Sequence, residues 1–416
     1  MGAGASLRLF ENANFRALWV GQLVSVFGDR FTYLALLALV VERARLPANP
    51  APELAMIPVV SFLPAILFSP WAGALVDGWN TRRVLILSDA ARGVIVLLLI
   101  PTAIWGGLPA AFALVFLLYL ANTFFLPARS AILPDLVPAD RLTEANSLAT
   151  LAGVIATIAG SLAAGALVER LGWRVGFALD ALTYFVSVAA LTLIRPPPRP
   201  ARPARGAMPG SSPYRALWAE VREGARIALA SRVVLVAMGA VVLLWMAGGT
   251  LHVALPLLLE RRGGGLVSGV GTILAAAAVG MVVGTLALAA RGGARSTWGR
   301  TAGGLAGAGT CLALFAASRG PVPDLAAAFG VGLFVSMLLV TTEAAIQEAV
   351  PVEARGRVFA LRDFAARLLV LGAALFAGLT LSRGWATPGA AVVAAGGLLA
   401  AGGAVLAIRA RGRRTG

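Results

Sequence analysis

The chain has 416 residues, 59% of them hydrophobic and 13% charged, with a mean hydropathy of +0.85. A soluble domain carries about 45–50% apolar and about 25% charged residues, so this composition points into a membrane. The net charge of +16 comes from 35 basic residues, all Arg; they are scattered among hydrophobic runs, which argues against a nucleic-acid partner and suits charge that fixes topology at a membrane surface.

The polar opening "MGAGASLRLFENANF" leads into an apolar run at 16–41 with no small-residue cleavage site, so a retained helix is expected rather than a cleaved signal. A bilayer core needs about 20 apolar residues per helix. On that rule spans fall near 16–41, 54–76, 84–105, 108–128, 145–167 and 174–194, then near 233–259, 266–290, 301–317, 324–346, 358–381 and 386–408. The expected fold is an all-α membrane protein of twelve transmembrane helices in two six-helix halves, 1–194 and 233–416.

The intervening segment 195–232 opens "RPPPRPARPARGAMPGSSP", an extended linker by composition. It continues as "YRALWAEVREGARIALA", where Tyr214, Leu217, Trp218, Val221 and Ala225 recur at helical spacing. That pattern predicts an amphipathic helix on the cytoplasmic membrane surface. Arg82, Arg83, Arg141, Arg222, Arg355 and Arg357 fall on the side shared by the two termini, and Arg is sparser opposite. The positive-inside rule then places both termini in the cytoplasm.

Two segments repeat at an offset of about half the chain. "AILPDLVPADR" at 131–141 and "AAIQEAVPVEAR" at 344–355 align Asp135 with Glu348, Val137-Pro138 with Val350-Pro351, and Asp140 with Glu353. Each follows the fourth apolar run of its half, as an internal duplication requires.

Charge concentrates in "GALVDGWNTRRVLILSDAAR", residues 73–92. Its Gly73, Asp77, Arg82, Arg83, Asp89 and Arg92 resemble the major facilitator superfamily signature between the second and third helices, with Gly78 where many members have Arg. "FRALWVGQLVSVFGDRFTYLAL", "LPDLVPADRLTEANSL", "FALDALTYFVSVAAL" and "LWAEVREGARIALA" resemble a narrower branch, the bacterial drug and siderophore exporters, including macrolide-efflux and enterobactin-exporter proteins. The fifth-helix exporter motif, roughly G-P-x-x-G-G, reads "GSLAAGA" here. Gly160 and Gly165 are kept and Ser161 replaces Pro. The resemblance implies a monomeric multi-pass transporter of the bacterial cytoplasmic (inner) membrane, with Gly73, Asp77, Arg82, Arg83, Asp89 and Arg92 forming a cytoplasmic gate. In it, Asp77 would cap the eleventh helix near Arg357.

Charges deep in a span are expensive and usually paired or functional. Asp29 and Arg30 of the first helix and Asp180 of the sixth reach similar depth. Arg30 is expected to pair with Asp180, leaving Asp29 facing elsewhere. A desolvated carboxyl without a full partner disfavours its charged form, so Asp29 is the first proton-coupling candidate and Glu343, at the end of the tenth helix, the second. Asp363 and Arg367 are spaced for an intrahelical pair. The polar positions on the expected cavity helices are Gln22, Asn122, Thr123, Trp245, Met246 and His252, a lining suited to lipophilic cargo.

One His and one Cys supply no hydrolytic or metal constellation, and no Walker A sequence occurs. No enzyme activity, metal or cofactor is expected. The partners expected are a small-molecule substrate, protons and the lipid bilayer. The leading expectation is a proton-driven exporter of small amphipathic or lipophilic compounds. The alternatives are a dedicated siderophore exporter or lysolipid flippase, and a non-transporting membrane sensor or scaffold.

Overall fold

The structure, a computed structural model, describes residues 8–44, 49–195, 213–263, 265–290 and 297–411. Among them the regular structure is helical. Six long helices come first: α1 (Ala13–Ala44), α2 (Ala51–Gly78), α3 (Thr81–Trp105), α4 (Gly107–Leu136), α5 (Leu142–Leu171) and α6 (Trp173–Thr192). The amphipathic segment forms α7 (Pro213–Ala230). Six more follow: α8 (Arg232–Arg261), α9 (Leu266–Ala290), α10 (Thr297–Ala317), α11 (Pro321–Ala349), α12 (Val352–Ser382) and α13 (Pro388–Arg411).

Eleven of these are long and apolar enough to cross a membrane. In hydrocarbon every backbone polar group must be satisfied within the segment, which helices achieve. α1, with 32 residues, is about 48 Å long at about 1.5 Å per residue, so its polar ends extend past a core about 30 Å thick. The twelfth expected span is α10, whose sequence TWGRTAGGLAGAGTCLALFAA is diluted by Gly and Thr. Its small residues serve packing: a Cβ on Gly309 would meet the carbonyl of Gly396 on α13, and one on Gly396 would meet that of Gly309. Close approach of this kind is how small residues join helices in lipid.

The chain divides into two units. The first comprises Met1–Arg43 with Val60–Tyr214, and the second Ala44–Val59 with Arg215–Gly416. In the first, α3 packs on α4 and α6, and α5 on α6. A core of Phe15, Leu85, Phe125, Ile132 and Leu191 gathers helix ends. Asn12 caps α1, accepting from the N–H groups of Asn14 and Phe15, and its Nδ2 donates to the Leu136 carbonyl at 2.7 Å. Asn14 exchanges two hydrogen bonds with the Arg195 backbone. Both ties hold the entry of α1 against the exits of α4 and α6. Asn80 caps α3 by accepting from Arg83 N–H at 3.1 Å, a contact worth about 1 kcal/mol.

In the second unit α10 lies against α11 and α13, α9 against α11, and α8 against α12 and α13. The helix expected at a membrane surface, α7, has one face packed on protein: Gly224 lies against the Arg357 carbonyl, Trp218 meets Phe364 edge to face, and Ala228 is buried beside Val234 and Val358. The repeat is visible in backbone geometry. Val137 and Val350 end α4 and α11 in extended conformation, and Pro138 and Pro351 follow with φ −58°, ψ 148° and φ −53°, ψ 146°.

Candidate functional site

A buried polar cluster joins α1, α3, α4 and α6 in the first unit. Its scaffold is the α1–α6 seam. A Cβ on Gly28 would collide with the Thr183 and Asp180 side chains, so glycine there lets α6 come close. Thr32, one turn on, then donates its hydroxyl to Asp180, and Thr183 donates to the same carboxyl at 3.1 Å. Asp180 is 0% exposed.

Arg30 does not pair with Asp180. Gly28 and Thr32 share one face of α1, and Arg30 projects about 200° round from Gly28 at about 100° per residue. It runs instead along α5, where its Cβ and Cγ pack against Gly160, and its Nε is buried without a hydrogen-bond partner. Asp29, expected to face away from α6, accepts the Tyr184 hydroxyl on that helix at 2.6 Å. The long Tyr side chain reaches round α1 to the residue beside the seam.

Tyr184 links Asp29 to a second acid. The Arg92 guanidinium carbon lies 4.6 Å from the Tyr184 ring centroid and 4.2 Å from that of Phe125, between two aromatic faces. Arg92 bonds Asp89 one turn earlier on α3 and donates to Asn122 Oδ1 at 3.3 Å. Ser187 donates to the other Asp89 oxygen at 2.6 Å. Asp89 and Arg92, 0% and 3% exposed, are thus interior members of this cluster and do not stand beside Arg82 and Arg83. The inward face of α3 carries them to α4 and α6.

Arg82 donates to the carbonyls of Leu191 and Thr192 at the end of α6, satisfying C-terminal groups that favour a cation. No side-chain partner is described for Arg83, and a Cβ on Gly73 would enter open space. Asp77 lies in the last turn of α2, with its side chain outside the described part. In the second unit Glu343 accepts from Arg362 at 2.6 Å, and Arg362 also pairs with Asp363 at 2.9 Å. Asp363 therefore pairs with its chain neighbour and not with Arg367.

Of the six expected cavity positions, Asn122 is engaged by Arg92, and Thr123 donates to the Tyr119 carbonyl in its own helix. Trp245, Met246 and His252 lie along α8 in the second unit. Gln22 lines a cavity of about 250 Å³ between α1, α4 and α5, together with Trp19, Leu126, Arg129 and Asn146. Thr32, Tyr184, Ser187 and Arg129 were not singled out from sequence. The signal for two of them was present: Asp180, Tyr184 and Ser187 recur at i, i+4 and i+7 on α6, one helical face. In the exporter-motif segment, Ser161 is fully buried and its hydroxyl has no hydrogen-bond partner.

Long apolar helices with ionisable groups clustered inside them define a polytopic membrane protein. The chain matches the Major Facilitator Superfamily over residues 18–374 and belongs to it; it is a transporter and not an enzyme. It is 32% identical over 182 residues to the lysophospholipid transporter LplT of Cronobacter sakazakii, covering 43% of this chain and 42% of that protein. It is 26% identical over 188 residues to macrolide efflux protein A of Streptococcus pyogenes, covering 44% and 45%. The matches thus span less than half the length of these two relatives. The crystal structure of a point mutant of the nucleoside transporter NupG superposes with a TM-score of 0.74 over 95% of this chain and 98% of that one, at 12% identity, a likeness of fold.

Proposed function

We propose that this transporter exports small amphipathic or lipophilic compounds by alternating access, coupled to proton entry, with Asp29 carrying the proton. The observation that carries the reading is the Tyr184–Asp29 hydrogen bond and its link through Arg92 to Asp89. Asp89 bonds the Arg92 guanidinium directly, Asp29 reaches it through Tyr184, and Asp180 is held by the hydroxyls of Thr32 and Thr183. Carboxyls held inside a span in this way are the groups through which proton coupling can run. Asp29 is only part-buried, which suits a group that must meet a changing aqueous access. Glu343 is the second candidate; its ion pair with Arg362 and its 45% exposure make it the weaker one.

Gly73, Asp77, Arg82 and Arg83 are assigned to the gate on the cytoplasmic side, and both termini to the cytoplasm of a bacterial cell, in a monomer with no cofactor. A second reading, a dedicated lysolipid transporter, is favoured by the similarity to LplT.

The test uses purified protein in vesicles with an imposed pH gradient. Wild-type protein should move an amphipathic probe against its gradient, with proton flux. Asp29→Asn should abolish gradient-driven transport and keep downhill exchange. Gradient-driven movement that survives in Asp29→Asn and is lost in Glu343→Gln would transfer the role to Glu343.

A further inference from the structure

The cavity between α1, α4 and α5 has an unusual balance of donors and acceptors. Arg129 lines it, and no hydrogen bond or ion pair is described for that side chain. Gln22 lines it too; only 7% exposed, it has a buried Nε2 with no hydrogen-bond partner. Among the lining residues there is no carboxylate. The neighbouring donors are already engaged: Trp19 Nε1 donates to the Leu148 carbonyl at 2.9 Å, Asn146 Nδ2 to that of Leu142 at 2.9 Å, and Ser130 Oγ to that of Leu126 at 3.2 Å. What remains are the guanidinium fork and the Gln22 Nε2, two donor groups for which no hydrogen-bond partner is described.

Arg129 is half-buried near the end of its span, where a cation still gains from a counter-charge. A planar fork of N–H donors matches a carboxylate or phosphate in two parallel hydrogen bonds, and a buried amide donor left unmade adds its own penalty. The missing partner is therefore an oxyanion. A whole drug-sized ligand needs about 300–1,000 Å³. This cavity, at about 250 Å³, takes a head group and leaves any chain outside it. Its remaining walls are mostly apolar, Phe15, Leu18, Trp19 and Leu126 among them, with Ser130 and Asn146 as the polar exceptions.

We propose that Arg129 and Gln22 form an oxyanion-recognition site for the phosphate or carboxylate head of a single-chain amphiphile. The proposal rests on the reading of the protein as a transporter of amphipathic compounds and adds the charge class of the cargo and the residues that select it. Arg129 supplies charge and the fork, and the buried Gln22 the second donor.

The experiment is calorimetric titration of the full chain in maltoside micelles. Binding needs no gradient, so it succeeds or fails independently of transport. The probes share one chain length: dodecyl phosphate, dodecanoate, monododecanoyl glycerol and dodecyltrimethylammonium. The two anions should bind roughly tenfold to a hundredfold tighter than the neutral probe, the range for hydrogen bonds to a charged group. Arg129→Gln should erase that preference, Arg129→Lys should keep only part of it, and Gln22→Leu should weaken both anions about threefold to tenfold. Equal binding of anionic and neutral probes by the wild type would overturn the proposal. So would inorganic phosphate binding as tightly as dodecyl phosphate, which would make the site one for the free ion. If Arg129→Gln does not fold, Arg129→Lys and Gln22→Leu decide: unchanged preference in both overturns it. Proton-coupled transport of neutral probes with no anion preference would sink this site and leave the wider function standing. Anion binding without gradient-driven transport would do the reverse.

Discussion

The Tyr184 hydroxyl donates to Asp29 Oδ1 across 2.6 Å, tying α6 to α1. The same ring carries the Arg92 guanidinium on its face at 4.6 Å. One aromatic side chain therefore touches the proposed proton carrier through its oxygen and the buried ion pair of α3 through its ring. The two contacts can be separated by experiment, because phenylalanine keeps the ring and loses the oxygen.

Tyr184→Phe should leave the protein folded and shift the pH dependence of transport. It removes the hydroxyl that Asp29 accepts and keeps the ring under Arg92, so the pH profile of transport should differ from that of the wild type. Substrate binding at fixed pH should be unchanged. Transport assayed across a pH series in vesicles checks this. A profile that coincides with wild type would separate Tyr184 from the coupling step.

Asp180 is held by hydroxyls and not by Arg30. Thr32→Val keeps the shape and deletes the donor, leaving a carboxyl oxygen inside the helix seam with one partner fewer. The expected cost is about 1–3 kcal/mol, read as a lower thermal unfolding temperature in detergent. Arg30→Gln should cost less, since Arg30 makes packing contacts with Gly160 and no described ion pair. Exchanging the two charges, Arg30→Asp with Asp180→Arg, should rescue nothing. Recovery of expression in the exchanged variant would restore the direct pair.

Gly28 sets the distance between α1 and α6. Gly28→Ala places a methyl group into Thr183 and Asp180, and overpacking of this kind costs about 1–3 kcal/mol. The control is Gly153→Ala on α5, where nothing lies within 4 Å of the new Cβ. There alanine should be neutral or stabilising by up to about 1 kcal/mol, its helix-propensity advantage. Unfolding temperatures of the two variants should diverge, and equal values would remove the packing argument.

The fold was legible because its signal is long and physical. Apolar runs matched to a bilayer give the spans, and the 131–141 and 344–355 repeat gives two halves, down to the shared Val-Pro turn at the ends of α4 and α11. The site was legible in its residue types and less so in its pairings. Asp29, Asp89, Arg92 and Asp180 stand out as charges inside apolar runs. Depth along a helix is readable at a fixed rise per residue, so Arg30 and Asp180 match in depth. Azimuth is set by which face a glycine such as Gly28 surrenders to its neighbour, and that comes only with packing. Tyr184 and Ser187 escaped notice because a tyrosine and a serine in an apolar helix are ordinary until the carboxylates they serve are in place. Arg129 escaped because its significance is a missing partner, which no linear pattern records.

Orientation rests on Arg distribution, and it has a direct test. Single cysteines at Ser212, between the two apolar sets, and at Gly412, beyond α13, should be protected from an impermeant thiol reagent in intact cells, in a Cys311→Ser background. Arg319→Cys should label: Arg319 lies in the junction between α10 and α11, an odd number of spans from the N-terminus. The three sites are coupled, because a chain with α10 among its twelve spans cannot place Arg319 on the same side as Ser212. α10 is the one long helix of the two six-helix sets outside the apolar group, so Arg319 tests both the orientation and whether α10 crosses. Labelling at Ser212 and Gly412 with protection at Arg319 would invert the protein and put the Arg129 cavity, which lies towards the α4–α5 junction, on the outer side. If α10 does not cross, one span is lost and every later segment changes side. Arg319 would then be protected with Ser212, and Gly412 would label in intact cells.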